Sequence, residues 1–162
     1  MITLVLGGAR SGKSEVAERM AAAAGVVVTY VATGSAVDAE MAARIEVHRR
    51  RRPAEWTTVE CGPGLAGALV AAEGTVLVDA LGTWLAQFSG AAVDADALCA
   101  ALAGRRGDTV IVSDEVGLGV HPSTEVGRRF RDDLGALNRR VAEVADEVVL
   151  VMAGRVLRLE RA

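Results

Sequence analysis

Eight residues constrain this chain more than any others: Gly7-Gly8-Ala9-Arg10-Ser11-Gly12-Lys13-Ser14. They satisfy the pattern G-x-x-x-x-G-K-[ST]. They sit between the β-branched and apolar run Ile2-Thr3-Leu4-Val5-Leu6 and a segment, Ser14 to Ala24, rich in Ala, Glu and Arg. A strand that turns on glycines straight into a helix aims backbone N–H groups and the helix N-terminus at one point, a cradle for phosphate oxygens. Lys13 is expected to reach the β and γ phosphates of a nucleoside triphosphate, GTP or ATP, and Ser14 to ligate Mg²⁺. Of the 18 basic side chains, Lys13 is the one lysine and 17 are arginine. A composition so biased keeps lysine where a compact ammonium on a flexible stem is needed.

The rest of the chain predicts strands and helices in alternation. Gly25 should stop the first helix. Val26 to Val31 reads as a second buried strand, and Asp38 to about His48 as a helix with Met41, Ile45 and His48 on one face. Pro53 should break that helix after Arg49-Arg50-Arg51-Arg52. Thr57 to Val59 predicts a short strand, Gly64 to Ala72 a small helix, Thr75 to Val78 a strand ending in Asp79, and Asp94 to Ala103 a helix. Thr109 to Val112 predicts a strand ending in Ser113-Asp114-Glu115. A glycine-rich loop, Gly117 to Pro122, then leads to a long helix from about Ser123 to Ala145 and two strands near 147–152 and 156–159. Apolar strands separated by helices argue for one α/β domain over 1–162, a three-layer, mostly parallel sheet covered on both faces. Ligands gather at the carboxyl ends of such strands, here Gly7–Ser14, Ala32-Thr33, Asp79 and Ser113–Glu115.

Other classes are excluded on simple counts. With 51% hydrophobic and 24% charged residues the chain is not disordered. It has no apolar run of the roughly 18 residues a membrane span needs. Nor does a basic n-region precede an apolar run, so no signal peptide is expected. Cys61 and Cys99 are too few for a disulfide framework or metal cluster, which points to a reducing, cytoplasmic setting. A net charge of −3 gives no nucleic-acid signature.

Two further features bear on chemistry. Asp79 ends the run Val76-Leu77-Val78, the hydrophobic strand followed by an acid that is expected of a Walker B carboxylate near Mg²⁺; the same residue could simply cap the next turn. His48 has Arg44 one turn back and Arg49 to Arg52 just after it. Locally this is either a packed, helix-terminal histidine beside a solvated basic face or a nucleophile. Neighbouring cations favour a neutral imidazole, and the same arginines could neutralise an attacked phosphate and a departing pyrophosphate.

Taken together, these pieces resemble the bifunctional adenosylcobinamide kinase/adenosylcobinamide-phosphate guanylyltransferase family of cobalamin biosynthesis. The resemblance rests on residues 7–14, on Tyr30-Val31-Ala32-Thr33, on the segment from Asp38 to His48 with Arg49, Arg52-Pro53 and Trp56, and on Thr58-Val59-Glu60. It continues through the Asp79 strand with Trp84-Leu85, Val112-Ser113-Asp114-Glu115-Val116-Gly117, Phe130-Arg131-Asp132 and Asn138. It implies a RecA-like P-loop NTPase fold, a homotrimer and two reactions. In the first, the aminopropanol hydroxyl of adenosylcobinamide is phosphorylated. In the second, GMP passes from GTP to that phosphate through a guanylylated histidine, matched here by His48. By the same matching, Gly7, Gly8, Ala9, Arg10, Ser11, Gly12, Lys13 and Ser14 hold the triphosphate. Ala32, Thr33, Gly34, Arg49, Arg50, Arg51, Arg52, Glu60 and Asp79 line the nucleotide site. Glu60 is a reasonable partner for guanine N1–H and N2–H₂. The chain departs from the family pattern in carrying Asp114 where Asn is usual, Ala80 and Gly82 for Cys and Thr, His121 for an aliphatic residue, and Arg139 for Gln. None of these removes an apparent catalytic group.

Of two other readings, the first stays open and the second is argued against. A P-loop small-molecule kinase without nucleotidyl transfer explains the phosphate loop and Asp79 but leaves His48 unused. A GTPase switch would need an Asn/Thr-Lys-x-Asp motif, and Lys13 is the one lysine in the chain.

Overall fold

The computed structural model describes residues 1–25, 27–34, 46, 49–88 and 92–161. Seven strands, β1 (Ile2–Gly7), β2 (Val28–Ala32), β3 (Thr57–Glu60), β4 (Thr75–Asp79), β5 (Thr109–Asp114), β6 (Glu147–Met152) and β7 (Arg155–Leu159), form one sheet in the order β3-β2-β4-β5-β1-β6-β7. Every neighbouring pair is parallel except β6 with β7. The helices whose bounds fall within the described residues are α1 (Lys13–Ala24), α2 (Leu65–Ala71), α3 (Leu81–Ala86), α4 (Ala95–Gly104) and α5 (Glu125–Val144).

The inner strands β1, β2, β4 and β5 are buried on both faces because the sheet is covered on both faces there, while the edge strands β3 and β7 are largely exposed. Successive residues point to opposite sides, and the core divides accordingly. Leu4, Val31, Val76, Val78 and Ile111 join Leu65, Leu69, Trp84, Leu98, Leu102, Leu134 and Val141, the faces of α2 to α5. Val5, Val28, Tyr30, Leu77, Val110 and Val112 join Val16, Ala17 and Ala21 of α1. The small residues of α1 bring it close to the sheet, which keeps the loop before it tight against the strand ends. This is the three-layer, mostly parallel α/β fold that the sequence predicts.

The differences are local. β2 begins at Val28 and ends at Ala32, and β1, β3, β4 and β5 each reach one or two residues further than their apolar runs, taking in Gly7, Glu60, Asp79 and Asp114. Hydrogen bonding, not hydrophobicity, sets a strand's end. α3 follows Asp79 at once and was not expected: six residues are too few to show a helical period. Met41, Ile45 and His48 of the expected 38–48 helix lie outside the described residues. Glu46 and Arg49 to Arg51 are helical, and the helix ends before Pro53, whose ring disfavours helical backbone at the preceding residue. α5 starts at Glu125, with the Thr124 hydroxyl accepting from the Gly127 N–H at 3.1 Å, an N-cap that fixes its first turn.

Register places the polar residues. Gly7 lies beside Asp114, Asp79 beside Ala32, and Ala32 beside Glu60. The carboxyl edge of the sheet therefore gathers side chains that are more than a hundred residues apart in sequence.

Candidate active site

The loop between β1 and α1 is built for an anion. Gly12, at the N-cap of α1, has φ of 90°, a left-handed conformation that side chains rarely adopt, and no side chain caps the helix. Its first-turn N–H groups are therefore left for a ligand, apart from the Lys13 N–H, which donates to Ser11 Oγ at 3.3 Å. Ser11 is buried; Ala9 and Arg10 are exposed, and Arg10 is left-handed with φ of 56°. The turn between β6 and β7 pins the loop from the far side, with the Gly154 N–H donating to the Ser11 carbonyl at 2.9 Å. Nothing in the spacing of residues 7–14 foretells that support.

Lys13 lies across the loop. Its Nζ donates to the Gly8 carbonyl at 3.2 Å and pairs with Asp114 Oδ1 at 2.7 Å. Asp114 has little freedom. A Cβ on Gly82 would collide with its Oδ2, so the glycine at the start of α3 makes room for the carboxylate. Asn138 of α5 braces the strand end, accepting from Ser113 Oγ at 2.6 Å and donating to the Asp114 carbonyl at 3.1 Å.

Ser14 Oγ donates to Asp79 Oδ1 at 3.4 Å. The other oxygen of Asp79 accepts from the Tyr30 hydroxyl at 2.9 Å. Tyr30 is buried, and its hydroxyl is held well above the ordinary phenol range, first by burial and then by the Asp79 charge, so it remains a donor. A serine hydroxyl facing a carboxylate is a hard-oxygen pair suited to Mg²⁺, which commonly takes one or two protein oxygens with the rest from phosphate and water. Among the described residues no cluster of three or more His, Cys, Asp or Glu could hold a metal unaided.

The other residues expected at the nucleotide site divide by position. Thr33 is buried, with its hydroxyl at 2.7 Å from the Ala80 carbonyl, 2.8 Å from the Ala80 nitrogen and 2.6 Å from Thr83 Oγ1. It bolts the end of β2 to the chain after Asp79. Ala32 and Gly34 flank it, half-buried, and Glu60 is exposed at the end of β3. The four arginines fan apart. Arg49 is exposed, Arg50 pairs with Glu46 at 2.9 Å, and Arg51 pairs with Glu15 at 2.8 Å and Glu18 at 3.3 Å on α1. Arg52 lies over the Tyr30 ring, its guanidinium carbon 3.3 Å from the ring centroid. His48 is outside the described residues. His121 is an exposed loop residue 2.8 Å from an Arg131 nitrogen, as its loop position predicts.

Sequence reasoning singled out Lys13, Ser14 and Asp79, and the structure brings them together. It did not identify Tyr30, Gly82, Ser113 or the Ala153-Gly154 turn as supports. One signal was available for Tyr30: it is the one tyrosine in the chain, placed in an apolar strand, and a buried phenol needs a hydrogen-bond partner.

The chain is similar to known proteins over nearly its whole length. The family model described as CobU, cobinamide kinase / cobinamide phosphate guanyltransferase, matches residues 3–159. The bifunctional adenosylcobalamin biosynthesis protein CobP of Pseudomonas aeruginosa is 42% identical over 166 residues, covering 95% of this chain and 94% of that protein. Its counterparts named CobU in Salmonella typhimurium and Escherichia coli are 38% and 37% identical over 176 residues, each covering 95% of this chain and 97% of the relative. A phosphate loop, an acid-ended strand and a full-length match of this kind leave one assignment: the chain belongs to the cobinamide kinase / cobinamide phosphate guanyltransferase family.

Proposed function

We propose that this chain is a bifunctional kinase and guanylyltransferase. It phosphorylates the aminopropanol hydroxyl of adenosylcobinamide and then transfers GMP from GTP to the product, giving adenosylcobinamide-GDP and pyrophosphate. The observation that carries this reading is the convergence of Lys13, Ser14 and Asp79 at the carboxyl edge of the sheet, in a chain that matches the family over residues 3–159. Residues 7–14 cradle the triphosphate through backbone N–H groups, with Lys13 turning from Asp114 to the phosphates. Ser14 and Asp79 hold Mg²⁺, which supplies charge neutralisation on the phosphate oxygens.

In the kinase step the substrate hydroxyl oxygen attacks the γ phosphorus, the bond from that phosphorus to the β-phosphate oxygen breaks, the nucleoside diphosphate leaves, and the hydroxyl proton passes to solvent. In the transfer step a ring nitrogen of His48 attacks the α phosphorus of GTP, the bond to the β-phosphate oxygen breaks, and pyrophosphate leaves. A phosphate oxygen of the acceptor then displaces the histidine, breaking the P–N bond. Splitting the transfer in this way replaces one difficult step with two in-line displacements. Arg49 to Arg52 follow His48 directly and supply cations for the departing pyrophosphate, and Glu60 reads the guanine edge. The reading extends to one catalytic domain over 1–162, a cytoplasmic homotrimer, and no nucleic-acid partner. No helix among the described residues is long and apolar enough to cross a membrane.

The test uses GTP labelled at the α phosphorus, with Mg²⁺, on wild-type and His48→Ala protein. Label that stays on denatured wild-type protein in base, is lost in acid, and is absent from His48→Ala supports the transfer step. A folded, GTP-binding wild type that takes no label would leave a small-molecule kinase without nucleotidyl transfer.

A further inference from the structure

Tyr30 belongs to none of the groups just assigned to nucleotide, metal or acceptor, yet it touches two of them. From the α1 side of the sheet its ring rises to the carboxyl edge, where its hydroxyl donates to Asp79 Oδ2 at 2.9 Å. The opposite oxygen of the same carboxylate accepts from Ser14 at 3.4 Å. A carboxylate hydrogen-bonded on both sides cannot rotate about its Cβ–Cγ bond without losing a bond, so Asp79 Oδ1 is kept facing Ser14. The face of the same ring carries Arg52, at 3.3 Å. The Arg52 Nε is buried with no hydrogen-bond partner. The ring face is the contact that the guanidinium makes, and a cation over a tyrosine face is attracted strongly when desolvated.

We propose that Tyr30 is a positioning residue with two functions: its hydroxyl fixes the orientation of the Asp79 carboxylate toward Ser14, and its ring seats Arg52, four residues after His48, beside that carboxylate. The role rests on the metal and nucleotide assignments proposed above. It connects the metal carboxylate to the arginine segment through one side chain, so the two functions of the ring can be separated by substitution. Tyr30→Phe keeps the ring and the Arg52 seat but removes the donor to Asp79. Arg52→Met keeps the donor and removes the cation.

The experiment titrates Mg²⁺ into a fluorescent GTP analogue bound to each protein and follows the Mg²⁺-dependent gain in affinity. Wild type is titrated first. If it fails to bind the analogue with Mg²⁺, the nucleotide reading itself fails, independently of Tyr30. With wild type responsive, Tyr30→Phe is expected to raise the Mg²⁺ half-saturation about ten- to a hundredfold, the loss of one hydrogen bond to a charged group, with affinity restored at saturating Mg²⁺. Arg52→Met should leave the Mg²⁺ half-saturation unchanged and weaken analogue binding at every Mg²⁺ concentration. In an Asp79→Asn background Tyr30→Phe should add nothing further, since the group it orients has lost its charge. A merely structural tyrosine would lower the melting temperature without moving the Mg²⁺ half-saturation. That result, or a full additional loss in the Asp79→Asn background, overturns the proposal.

Discussion

The ion pair between Lys13 and Asp114 makes a prediction whose two readouts move in opposite directions. Lys13 Nζ sits 2.7 Å from Asp114 Oδ1, with side-chain exposures of 13% and 33%. For Lys13 to serve phosphate oxygens it must leave Asp114 or share it, so the pair stabilises the nucleotide-free protein and competes with the ligand. A hydrogen bond between charged groups contributes about 1.5–3 kcal/mol, and solvent access at Asp114 screens it to about 1–2 kcal/mol. Asp114→Asn keeps the side chain's shape beside Gly82 and leaves the backbone bond from Asn138 to the residue 114 carbonyl in place. The variant should bind GTP more tightly, by about 5- to 30-fold at 1.4 kcal/mol per decade, in a calorimetric titration without Mg²⁺. The nucleotide-free variant should at the same time melt lower, by about 2–8 °C for a chain of this size. Weaker GTP binding by Asp114→Asn would refute the competition and show that the carboxylate serves the bound nucleotide. Unchanged binding with a lowered melting temperature would make the pair purely structural.

Two other predictions concern the scaffold. Arg105 donates through Nη1 to the Leu69 and Ala72 carbonyls at 2.6 and 2.7 Å, through Nη2 to the Gly74 carbonyl at 2.7 Å, and through Nε to Thr109 Oγ1 at 3.0 Å, closing the C-terminal end of α2 against β5. Arg105→Ala strands those carbonyls and should cost about 2–4 kcal/mol in urea unfolding; Arg105→Lys, which lacks the planar fork, should recover less than half of it, and an unchanged midpoint for the alanine variant would refute the role. Burial pushes the thiols of Cys61 and Cys99 above their ordinary range. The folded state therefore holds these protons where the unfolded chain releases them, so stability falls as pH climbs past the ordinary thiol value of about 8.5. A thiol-reactive dye at pH 8 should label the folded protein much more slowly than the urea-unfolded protein, and equal rates would contradict the burial.

Much of the site was legible because the relevant physics is local. Lys13 and Ser14 follow a glycine turn between a strand and a helix, and that order alone implies an anion cradle. Asp79 ends an apolar run, so its place at a strand terminus follows from hydropathy. The arginine run shows the limit of such reading. As sequence, Arg49 to Arg52 form one basic face, but Arg50 and Arg51 bond to Glu46, Glu15 and Glu18, while Arg52 stacks on Tyr30. Successive helical residues point in different directions, so a run of like charges rarely acts as a unit. Thr33 was expected among nucleotide-lining residues, and its hydroxyl is turned to Ala80 and Thr83; no property of residue 33 within its own strand announces those partners. α3 escaped notice because six residues hold less than two helical turns.

From the sequence alone come the alternation of strands and helices, burial on both faces of the sheet, the phosphate loop, and the acid that closes β4. Each depends on residues a few positions apart, where spacing translates directly into geometry. The tertiary structure decided which strand ends meet. It set Asp114 against Lys13, Tyr30 beneath Asp79, Gly82 beside Asp114, and the turn at Gly154 behind Ser11. Those contacts join residues 32 to 143 positions apart, and strand order and register bring them together. Both are set by the simultaneous packing of helices on two faces of one sheet, so no short stretch of the chain encodes them.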